Sequence, residues 1–588
     1  MVDLPHATDA AAVIREHALT TPERTAVILV DDVERTDGDT RWSYAQLDAE
    51  ARKIGSWLRA RYPVGTRVLL LYPTGFDFAA AYVGCLYAGV AAVPAPLPGR
   101  YRHEQARVTG IARNAAVSAA LTDAENLPEV QAWVDGEGLT GTRVLATDSA
   151  GLADPGESWT PEELDQQSLA MLQYTSGSTG DPKGVTLTHG NLLHNVDSQR
   201  RAFAMGAGTR LGGWIPHYHD MGLLGQILPA LLLGGTCVLM RSSAFLKRPH
   251  HWLQVIDKYG IHLSAAPNFA YELCCSRVSD EQLAGLDLSR WRVAVNGSEP
   301  IDTAVLDAFA KRFAPAGLRD DVLCPCYGMA ESTVFVSGVA FRKAVVTTVD
   351  VDRLRENRFV PAESGADLVG CGVPSDCDLL IVDPGTGEPL QPGGIGEIWL
   401  RGPSIGTAYW GDTPATERAF VQGGYLRTGD LGTLFDGELY VTGRLAETVT
   451  VYGHHLYPQD IERRLREHHP ELGSVGAAFT VPLARSGAEP EDVLVVTHEV
   501  TGRPAEDVLR RLADGIKETV DREFGIPVGG VALLRRGAVR RTTSGKIQRV
   551  AMRGLFLDGE LSPMYADYGQ PVTDALGAWR TSRSARDR

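Results

Sequence analysis

The stretch YTSGSTGDPKGVTLTHGN, residues 174–191, decides how this chain of 588 residues is to be read. Residues 175–184 contain three glycines, two serines, two threonines and a lysine, between the apolar runs SLAMLQY and VTLTH. Glycines let backbone N–H groups converge on one point, hydroxyls add donors and lysine adds a compact positive charge, so the loop suits a polyphosphate. It lacks the GxxxxGK[ST] pattern of the P-loop. On composition alone a flexible linker also fits.

Lysine is rare in this chain, with eight among 57 basic residues. Two of the eight, Lys183 in TGDPKG and Lys546 in TTSGKIQR, lie in loops rich in glycine, serine and threonine. Lysine and arginine are not interchangeable at a crowded phosphate. We therefore interpret these two lysines as chemical requirements, while chance placement stays open.

Short apolar runs that end in small polar loops recur along the chain, as in RVAVNGSEP and VLCPCYGMAES. They alternate with helix-like stretches such as LLHNVDSQRRAFA, for which Asn191 is a plausible N-cap. This alternation predicts an α/β fold whose polar loops lie at the carboxyl ends of the strands, where ligands collect. Residues 385–443 change to short runs with glycine turns and predict a smaller β-rich portion.

Length and composition limit the class of protein to which this chain can belong. A chain of 588 residues implies several domains, and its 44% hydrophobic content is that of a globular protein without an 18-residue apolar window. The N-terminus lacks signal-peptide features, so we expect a cytoplasmic protein with no transmembrane segment. Residues before 443 carry a net charge of −17 and later residues +1, which indicates a boundary there. The net charge of −16 argues against nucleic acid.

The pattern PHYHDMG places His217 and His219 beside Asp220, which superficially suggests a metal cluster. The next residues, Met221 and Gly222, supply no further ligand. We therefore do not assign a metal cluster to this segment.

Six motifs, TSGSTGDPKGV, VNGSEP, YGMAES, LRTGD, GRLAE and TSGKIQR, occur in the order of the core motifs of the adenylate-forming (ANL) superfamily. That superfamily contains acyl-CoA ligases, peptide-synthetase adenylation domains and luciferases. Within it, WIPHYHDMGLLG, TVFVSG and YGHHLYPQDIE resemble the fatty acyl-AMP ligases (FAAL). The match spans most of the chain.

The resemblance implies an α/β adenylate-forming enzyme fold. A large N-terminal AMP-binding domain of α/β subdomains plus a β-rich subdomain would span residues 1–442, with an insertion at about 339–368. A small, mobile α+β C-terminal domain would span 443–570, and residues 571–588 are expected to be disordered. In the insertion, AVVTTVDV predicts a strand and DRLREN a helical turn.

The resemblance also implies the site residues and the cofactors ATP and Mg²⁺. The ATP-binding residues would be Thr175, Ser176, Gly177, Ser178, Thr179, Gly180, Lys183, Asn296, Gly297, Ser298, Tyr327, Gly328, Met329, Ala330, Asp430 and Arg444. Tyr327 would stack on adenine, while Asp430 and Arg444 would contact the ribose. Glu331 would bind Mg²⁺. Taken singly, these could equally be a core tyrosine, a turn aspartate, a surface arginine and an exposed glutamate.

Two residues are expected to act on the reacting groups. Lys546 would stabilise the negative charge that builds at the α-phosphate, and His219 would lie beside the substrate carboxyl, although a buried structural histidine also fits. The implied reaction converts a medium- or long-chain fatty acid and ATP to acyl-AMP and pyrophosphate. The acyl group would then pass to the phosphopantetheine arm of a separate acyl carrier protein or polyketide or peptide synthase. A fatty acyl-CoA synthetase and a non-catalytic scaffold are the alternatives, and intact Lys546, Glu331 and Asp430 argue against the scaffold.

Overall fold

The computed structural model describes residues 3–35, 39–100, 102–149, 151–156, 159–175, 182–447, 449–451, 454–483, 491–542 and 546–586. Its strands, in chain order, are β1 Thr25–Val30, β2 Asp39–Ser43, β3 Arg67–Leu71, β4 Ala91–Ala95, β5 Ala119–Thr122, β6 Arg143–Ala146, β7 Leu169–Tyr174, β8 Gly184–Thr188, β9 Arg210–Gly213, β10 Thr236–Met240, β11 Leu263–Ala266, β12 Val293–Asn296, β13 Leu323–Tyr327, β14 Ser337–Gly338, β15 Val346–Val349, β16 Ala366–Val369, β17 Asp378–Val382, β18 Gly396–Arg401, β19 Phe420–Val421, β20 Tyr425–Phe435, β21 Glu438–Arg444, β22 Val449–Val451, β23 His454–Leu456, β24 Leu472–Leu483, β25 Glu491–Val500, β26 Val528–Leu534 and β27 Tyr565–Tyr568.

The α-helices of the described residues, in the same order, are α1 Ala10–Thr20, α2 Tyr44–Arg59, α3 Phe76–Ala88, α4 Arg102–Ala115, α5 Leu127–Gly136, α6 His189–Ala202, α7 Asp220–Gly222, α8 Leu228–Leu232, α9 Ser242–Lys247, α10 His250–Tyr259, α11 Asn268–Arg277, α12 Asp280–Ala284, α13 Thr303–Phe313, α14 Val351–Arg355, α15 Thr413–Ala419, α16 Pro458–His468, α17 Glu506–Phe524, α18 Arg549–Asp558 and α19 Gln570–Arg586. Within the described ranges, no helix is both long and apolar enough to cross a membrane.

Two mainly parallel sheets form the first part of the chain. The eight-stranded sheet has the order β14-β13-β12-β11-β9-β10-β1-β2, and the six-stranded sheet has the order β6-β5-β3-β4-β7-β8. Every residue of β10 to β13 is buried, as expected for parallel strands covered on both faces. The α/β expectation is confirmed, and the polar loops after β7, β12 and β13 begin at the carboxyl ends of their strands.

The later part of the chain is built differently. Strands β17 to β21 form an antiparallel five-stranded sheet, which confirms the β-rich portion. Strands β24 to β27 form a four-stranded sheet packed with α16 to α18. Strand β21 runs through residue 443, so the predicted boundary falls inside a strand. The division into domains 1–442 and 443–570 stays a prediction.

The predicted insertion at about 339–368 is folded. Its expected strand and helical turn are present as β15 and α14. Val349 and Leu354 from this segment share an apolar cluster with Tyr457, which lies beyond the predicted boundary. Arg355 Nη2 also donates to the carbonyl oxygen of Glu523, at 3.4 Å. The insertion therefore contacts both sides of the predicted boundary.

Two local expectations are wrong. Residues 571–588 are predicted to be disordered, whereas α19 covers residues 570–586, with Val572 and Leu576, four residues apart on one helix face, buried; residues 587 and 588 lie outside the described residues. Asn191 is not the N-cap of α6. Thr188 is the N-cap, and Asn191 lies three residues later as the reciprocal partner, accepting from the Thr188 N–H at 2.9 Å.

Candidate active site

The frame of the glycine-rich loop is a β7–β8 hairpin. Tyr174 and Gly184 are paired across it, and the Thr175 N–H donates to the Lys183 carbonyl oxygen at 3.0 Å. A Cβ atom at Gly184 would lie 2.8 Å from the Tyr174 ring, so this close crossing requires glycine. Ser176, Gly177, Ser178, Thr179 and Gly180 lie outside the described residues, and their predicted roles stay predictions.

A cation, a tyrosine and a carboxyl group are grouped beside this loop. Lys183 Nζ lies 4.9 Å from the centroid of the Tyr409 ring, and the Tyr409 hydroxyl donates to Glu331 Oε1 at 2.7 Å. Glu331 is only 8% exposed, so it is not the ordinary exposed glutamate that its sequence position alone allows. Burial raises the pKa of Glu331, and the Tyr409 hydrogen bond opposes that rise.

A second hydrogen-bonded group joins three separate segments. The Tyr327 hydroxyl donates to Asp430 Oδ2 at 2.8 Å, and Arg444 Nε donates to Asp430 Oδ1 at 3.1 Å. Asp430 and Arg444 are register partners on β20 and β21. Asp430 raises the pKa of Arg444, so this guanidinium stays charged. Both Asp430 oxygens are thus already engaged by predicted nucleotide-binding residues.

Lys546 approaches from the C-terminal part of the chain. Its backbone is tied to Thr542 by a pair of hydrogen bonds, Lys546 N to Thr542 Oγ1 at 3.1 Å and Thr542 N to Lys546 O at 2.8 Å. Burial lowers the pKa of Lys546, as does the positive charge of Arg444, while Asp220, Glu299 and Asp430 oppose the fall. The ammonium group therefore lies in a buried environment that contains three carboxyl groups.

His219 and Asp220 meet at the start of a short helical turn. His219 Nδ1 lies 2.6 Å from Asp220 Oδ1, and the Met221 N–H donates to Asp220 Oδ1 at 2.6 Å. Burial alone would raise the pKa of Asp220, but His219 and Lys546 together hold it below its usual value. His217 instead packs on Phe78, with ring centroids 4.2 Å apart, and burial lowers its pKa to about 3. His217 is thus a neutral core residue.

A cavity of about 680 Å³, here called the site cavity, brings most of the predicted residues together. Its walls include Thr175, Lys183, His219, Gly297, Ser298, Tyr327, Gly328, Met329, Ala330, Glu331, Asp430, Arg444 and Lys546. Asn296 is not among them, because its side chain is fully buried and donates to Asn268 Oδ1 at 3.1 Å. The Asn296 side chain therefore supports the neighbouring loop and does not face the cavity, although Gly297 and Ser298, which follow it in the sequence, line the cavity.

Sequence reasoning missed four residues of this site. Asp220, Arg107 and Tyr409 line the site cavity, and Glu299 acts on the charge of Lys546. Asp220 and Glu299 stand inside quoted motifs and could have been found there. Arg107 and Tyr409 come from α4 and from the turn before α15, far from any motif used, and only the folded chain brings them to the site.

Comparison with known proteins gives one consistent family. A family model described as AMP-binding enzyme matches residues 14–410, more than half of the chain. The chain is 38% identical over 557 residues to the medium-chain-fatty-acid–[acyl-carrier-protein] ligase JamA of Moorena producens (strain JHB), covering 91% of this chain and 93% of that protein. It is 34% identical to the long-chain-fatty-acid–AMP ligase FadD32 of Mycobacterium marinum (strain ATCC BAA-535 / M), covering 90% of each.

Solved structures agree with the sequence relatives. A structure from studies of fatty acyl-adenylate ligases of E. coli and L. pneumophila superposes with a TM-score of 0.84 at 30% identity, covering 95% of this chain and 98% of that one. The L. pneumophila fatty acyl-adenylate ligase in complex with acyl adenylate and pyrophosphate gives 0.72 at 32% identity, with coverages of 97% and 99%. The chain belongs to the adenylate-forming AMP-binding enzymes, in the fatty acyl-AMP ligase family.

Proposed function

We propose that the protein activates a medium- or long-chain fatty acid with ATP, releasing pyrophosphate, and passes the acyl group from acyl-AMP to the phosphopantetheine thiol of a separate acyl carrier protein. The observation that carries the proposal is the site cavity itself. It combines the cations Lys183, Arg444 and Lys546 with the carboxyl groups of Asp430 and Glu331. Because a nucleoside triphosphate and an attacking carboxylate are both anions, a wall with these cations suits both.

An apolar recess in the same cavity accounts for the fatty acid. Its walls include Phe203, Leu263, Val295, Val334 and Phe335. Burying an alkyl chain there removes apolar surface from water and is favourable for each methylene group. These five side chains are all apolar, so this part of the wall favours an alkyl chain over a polar group.

The first step forms a bond between a carboxylate oxygen and the α-phosphorus and breaks the bond from that phosphorus to the oxygen of the β-phosphate. Pyrophosphate leaves with the electron pair. Negative charge gathers on the α-phosphate oxygens, where the ammonium group of Lys546, a residue of the cavity wall, stabilises it. Its lowered pKa rises again when anionic substrates enter, so the bound complex favours the charged lysine.

Glu331 fits the role of the magnesium ligand. It is a buried carboxyl group on the cavity wall, and one of its oxygens accepts a hydrogen bond from Tyr409. Burial raises its pKa, and a divalent cation would reverse that effect by favouring the ionised form. Bound Mg²⁺ would neutralise phosphate charge, which is the chemistry that Mg²⁺ supplies with one or two carboxylates and several waters.

The second step moves the acyl group. The thiol sulfur attacks the acyl carbonyl carbon, AMP leaves with the electron pair, and the thiol proton is released. A carrier-protein acceptor is supported by the relative from Moorena producens, which is named as an acyl-carrier-protein ligase. The insertion contacts Tyr457 and Glu523, so it holds the C-terminal part in the arrangement that presents Lys546 and works against the small CoA thiol.

The test is a product analysis by mass spectrometry. The purified protein is mixed with ATP, Mg²⁺ and fatty acids of graded length, and then with CoA or with phosphopantetheinylated carrier protein. We expect acyl-AMP to accumulate with little acyl-CoA and the carrier protein to be acylated. Acyl-CoA formed as fast as acyl-AMP would overturn the carrier-protein assignment and favour a fatty acyl-CoA synthetase.

A further inference from the structure

A second cavity of about 200 Å³, here called the outer cavity, adjoins the apolar recess. Its described lining consists of Phe203, Ala204, Met205, Ala207, Gly208, Thr209, His262, Leu263, Arg292, Val293 and Phe341. Phe203 and Leu263 belong to the walls of both cavities. Two apolar side chains therefore separate the site cavity from the outer cavity.

Strands β11 and β12 fix the order of the two cavities. Leu263 pairs with Val293, and two residues later Ala265 pairs with Val295. Alternate residues of a strand point to the same face and lie about 7 Å apart. Ala265 and Val295 line the site cavity, and Leu263 and Val293 line the outer cavity. The outer cavity thus lies toward the amino ends of these strands, away from the nucleotide-binding loops.

Phe203 and Leu263, the two side chains between the cavities, are apolar, so they can move apart without desolvating a polar group. Phe203 follows the last residue of α6, is 5% exposed, and packs against Phe335 with ring centroids 5.1 Å apart. Leu263 is the first residue of β11. A rotamer change of a buried phenylalanine costs packing energy, which a penetrating alkyl chain restores through its own contacts.

The outer cavity is positively charged, in a chain whose net charge is −16. Its lining holds Arg292 and, among the described residues, no acidic side chain. The Arg292 guanidinium lies 5.0 Å from the centroid of the Phe341 ring, and Arg292 is exposed and forms no ion pair among the described residues. Arginine binds carboxylates through two parallel N–H donors, so an exposed and unpaired guanidinium favours this ligand.

His262 adds a neutral donor beside Arg292. The backbone N–H of Arg210 donates to His262 Nδ1 at 3.1 Å, which leaves the hydrogen on Nε2. Burial lowers the pKa of His262, as do the positive charges of Arg292 and Arg210. The outer cavity therefore offers a guanidinium, an imidazole N–H and a surface opening at which a carboxylate keeps part of its hydration.

We propose that this enzyme accepts fatty acids with a second carboxylate at the far end, and that Arg292 binds that carboxylate after the alkyl chain has passed Phe203 and Leu263. The proposal rests on the proposed function and names its substrate class. One carboxylate is activated in the site cavity, and the other stays ionised in the outer cavity. An acid too short to reach Arg292 gains nothing from its second carboxylate, because it would leave that charge in the apolar recess.

The test compares α,ω-diacids with monoacids of equal length, from decanoate to octadecanoate, by pyrophosphate release. Above a threshold length we expect kcat/KM for the diacid to exceed that for the monoacid. Arg292→Gln should lower the diacid-to-monoacid ratio about tenfold, as for the loss of about 1.4 kcal/mol. Arg290→Gln is the matched control, because Arg290 is exposed in the preceding turn, donates to the Asp257 carbonyl oxygen, and is outside the outer cavity.

A second variant tests the passage. Phe203→Trp should lower kcat/KM more for the long diacids and monoacids than for decanoate, because only the long chains have to pass this side chain, and an equal loss at every length would contradict the passage. A diacid-to-monoacid ratio that is the same in the wild type, Arg292→Gln and Arg290→Gln would overturn the inference and leave the proposed function standing. A wild-type protein that forms acyl-AMP from no acid in either series would overturn both.

Discussion

The nucleotide side of the site cavity and the segment that carries Lys546 are held in different ways. On the nucleotide side, Tyr327 and Arg444 from two strands both donate to Asp430 on a third. The backbone of Lys546 bonds to Thr542, and two residues later Gln548 N donates to the Arg540 carbonyl oxygen at 2.9 Å. Burial lowers the pKa of the lysine, while carboxyl groups from other segments oppose the fall. We infer that nucleotide binding is built into the sheets, whereas catalysis depends on bringing one lysine to them.

Substitution of Lys546 should have the largest effect and should separate catalysis from nucleotide binding. We expect Lys546→Ala to slow acyl-AMP formation by about 10²- to 10³-fold, as for the loss of one fixed donor of transition-state stabilisation. ATP affinity should change little, because the hydrogen-bonded groups that line the nucleotide side remain. Pyrophosphate release and calorimetric titration with ATP measure the two effects separately.

Lys517→Ala is the matched control for this variant. Lys517 lies in the same C-terminal part, pairs with Asp567 at 2.7 Å and is not on the cavity wall. It should keep wild-type activity. A Lys546→Ala protein that retains most of the wild-type rate would show that this lysine lacks the proposed role.

The next effect concerns the nucleotide side. Asp430→Ala should weaken ATP binding by about 1.5–3 kcal/mol, the range for hydrogen bonds to a charged group, because Tyr327 and Arg444 lose their shared acceptor. Asp378→Ala is the control, since Asp378 lies exposed on the same sheet and pairs with Arg401. Calorimetry that gives equal ATP affinities for both variants and the wild type would contradict a preformed nucleotide side.

The smallest effect is a pH shift. The Tyr409 hydroxyl lowers the pKa of Glu331, which burial raises, so Tyr409→Phe should let that pKa rise further. The ionised carboxylate is the form that binds Mg²⁺. On acidification, the Tyr409→Phe variant should therefore lose activity at a higher pH than the wild type does. At neutral pH we expect kcat/KM to fall by an amount that corresponds to about 0.5–1.5 kcal/mol of transition-state stabilisation. Tyr425→Phe serves as the control, and superimposable pH–rate profiles at limiting Mg²⁺ would exclude this role.

Contiguous motifs supplied the site residues that the sequence could propose, although Asp220 and Glu299 were missed within them. Thr175, the strand-end Tyr327 and Glu331 lie on the cavity wall, because a motif couples residue type to a local backbone shape, while the roles predicted for them stay predictions. Asn296 was predicted at the nucleotide but faces Asn268, since a strand alternates its side chains and sequence alone does not say which face is inside. Tyr409 could not be found, because it reaches Glu331 only through folding.

The course of strand β21 has a consequence for the order of events in catalysis. Because Arg444 is the last residue of that strand and is paired with Asp430, we expect any pivot of the C-terminal part to lie after it. If Arg444 contacts the ribose as predicted, a swing that withdraws Lys546 would leave that contact in place. The unstable mixed anhydride would stay tethered between the two half-reactions, protected from escape into water until a thiol arrives.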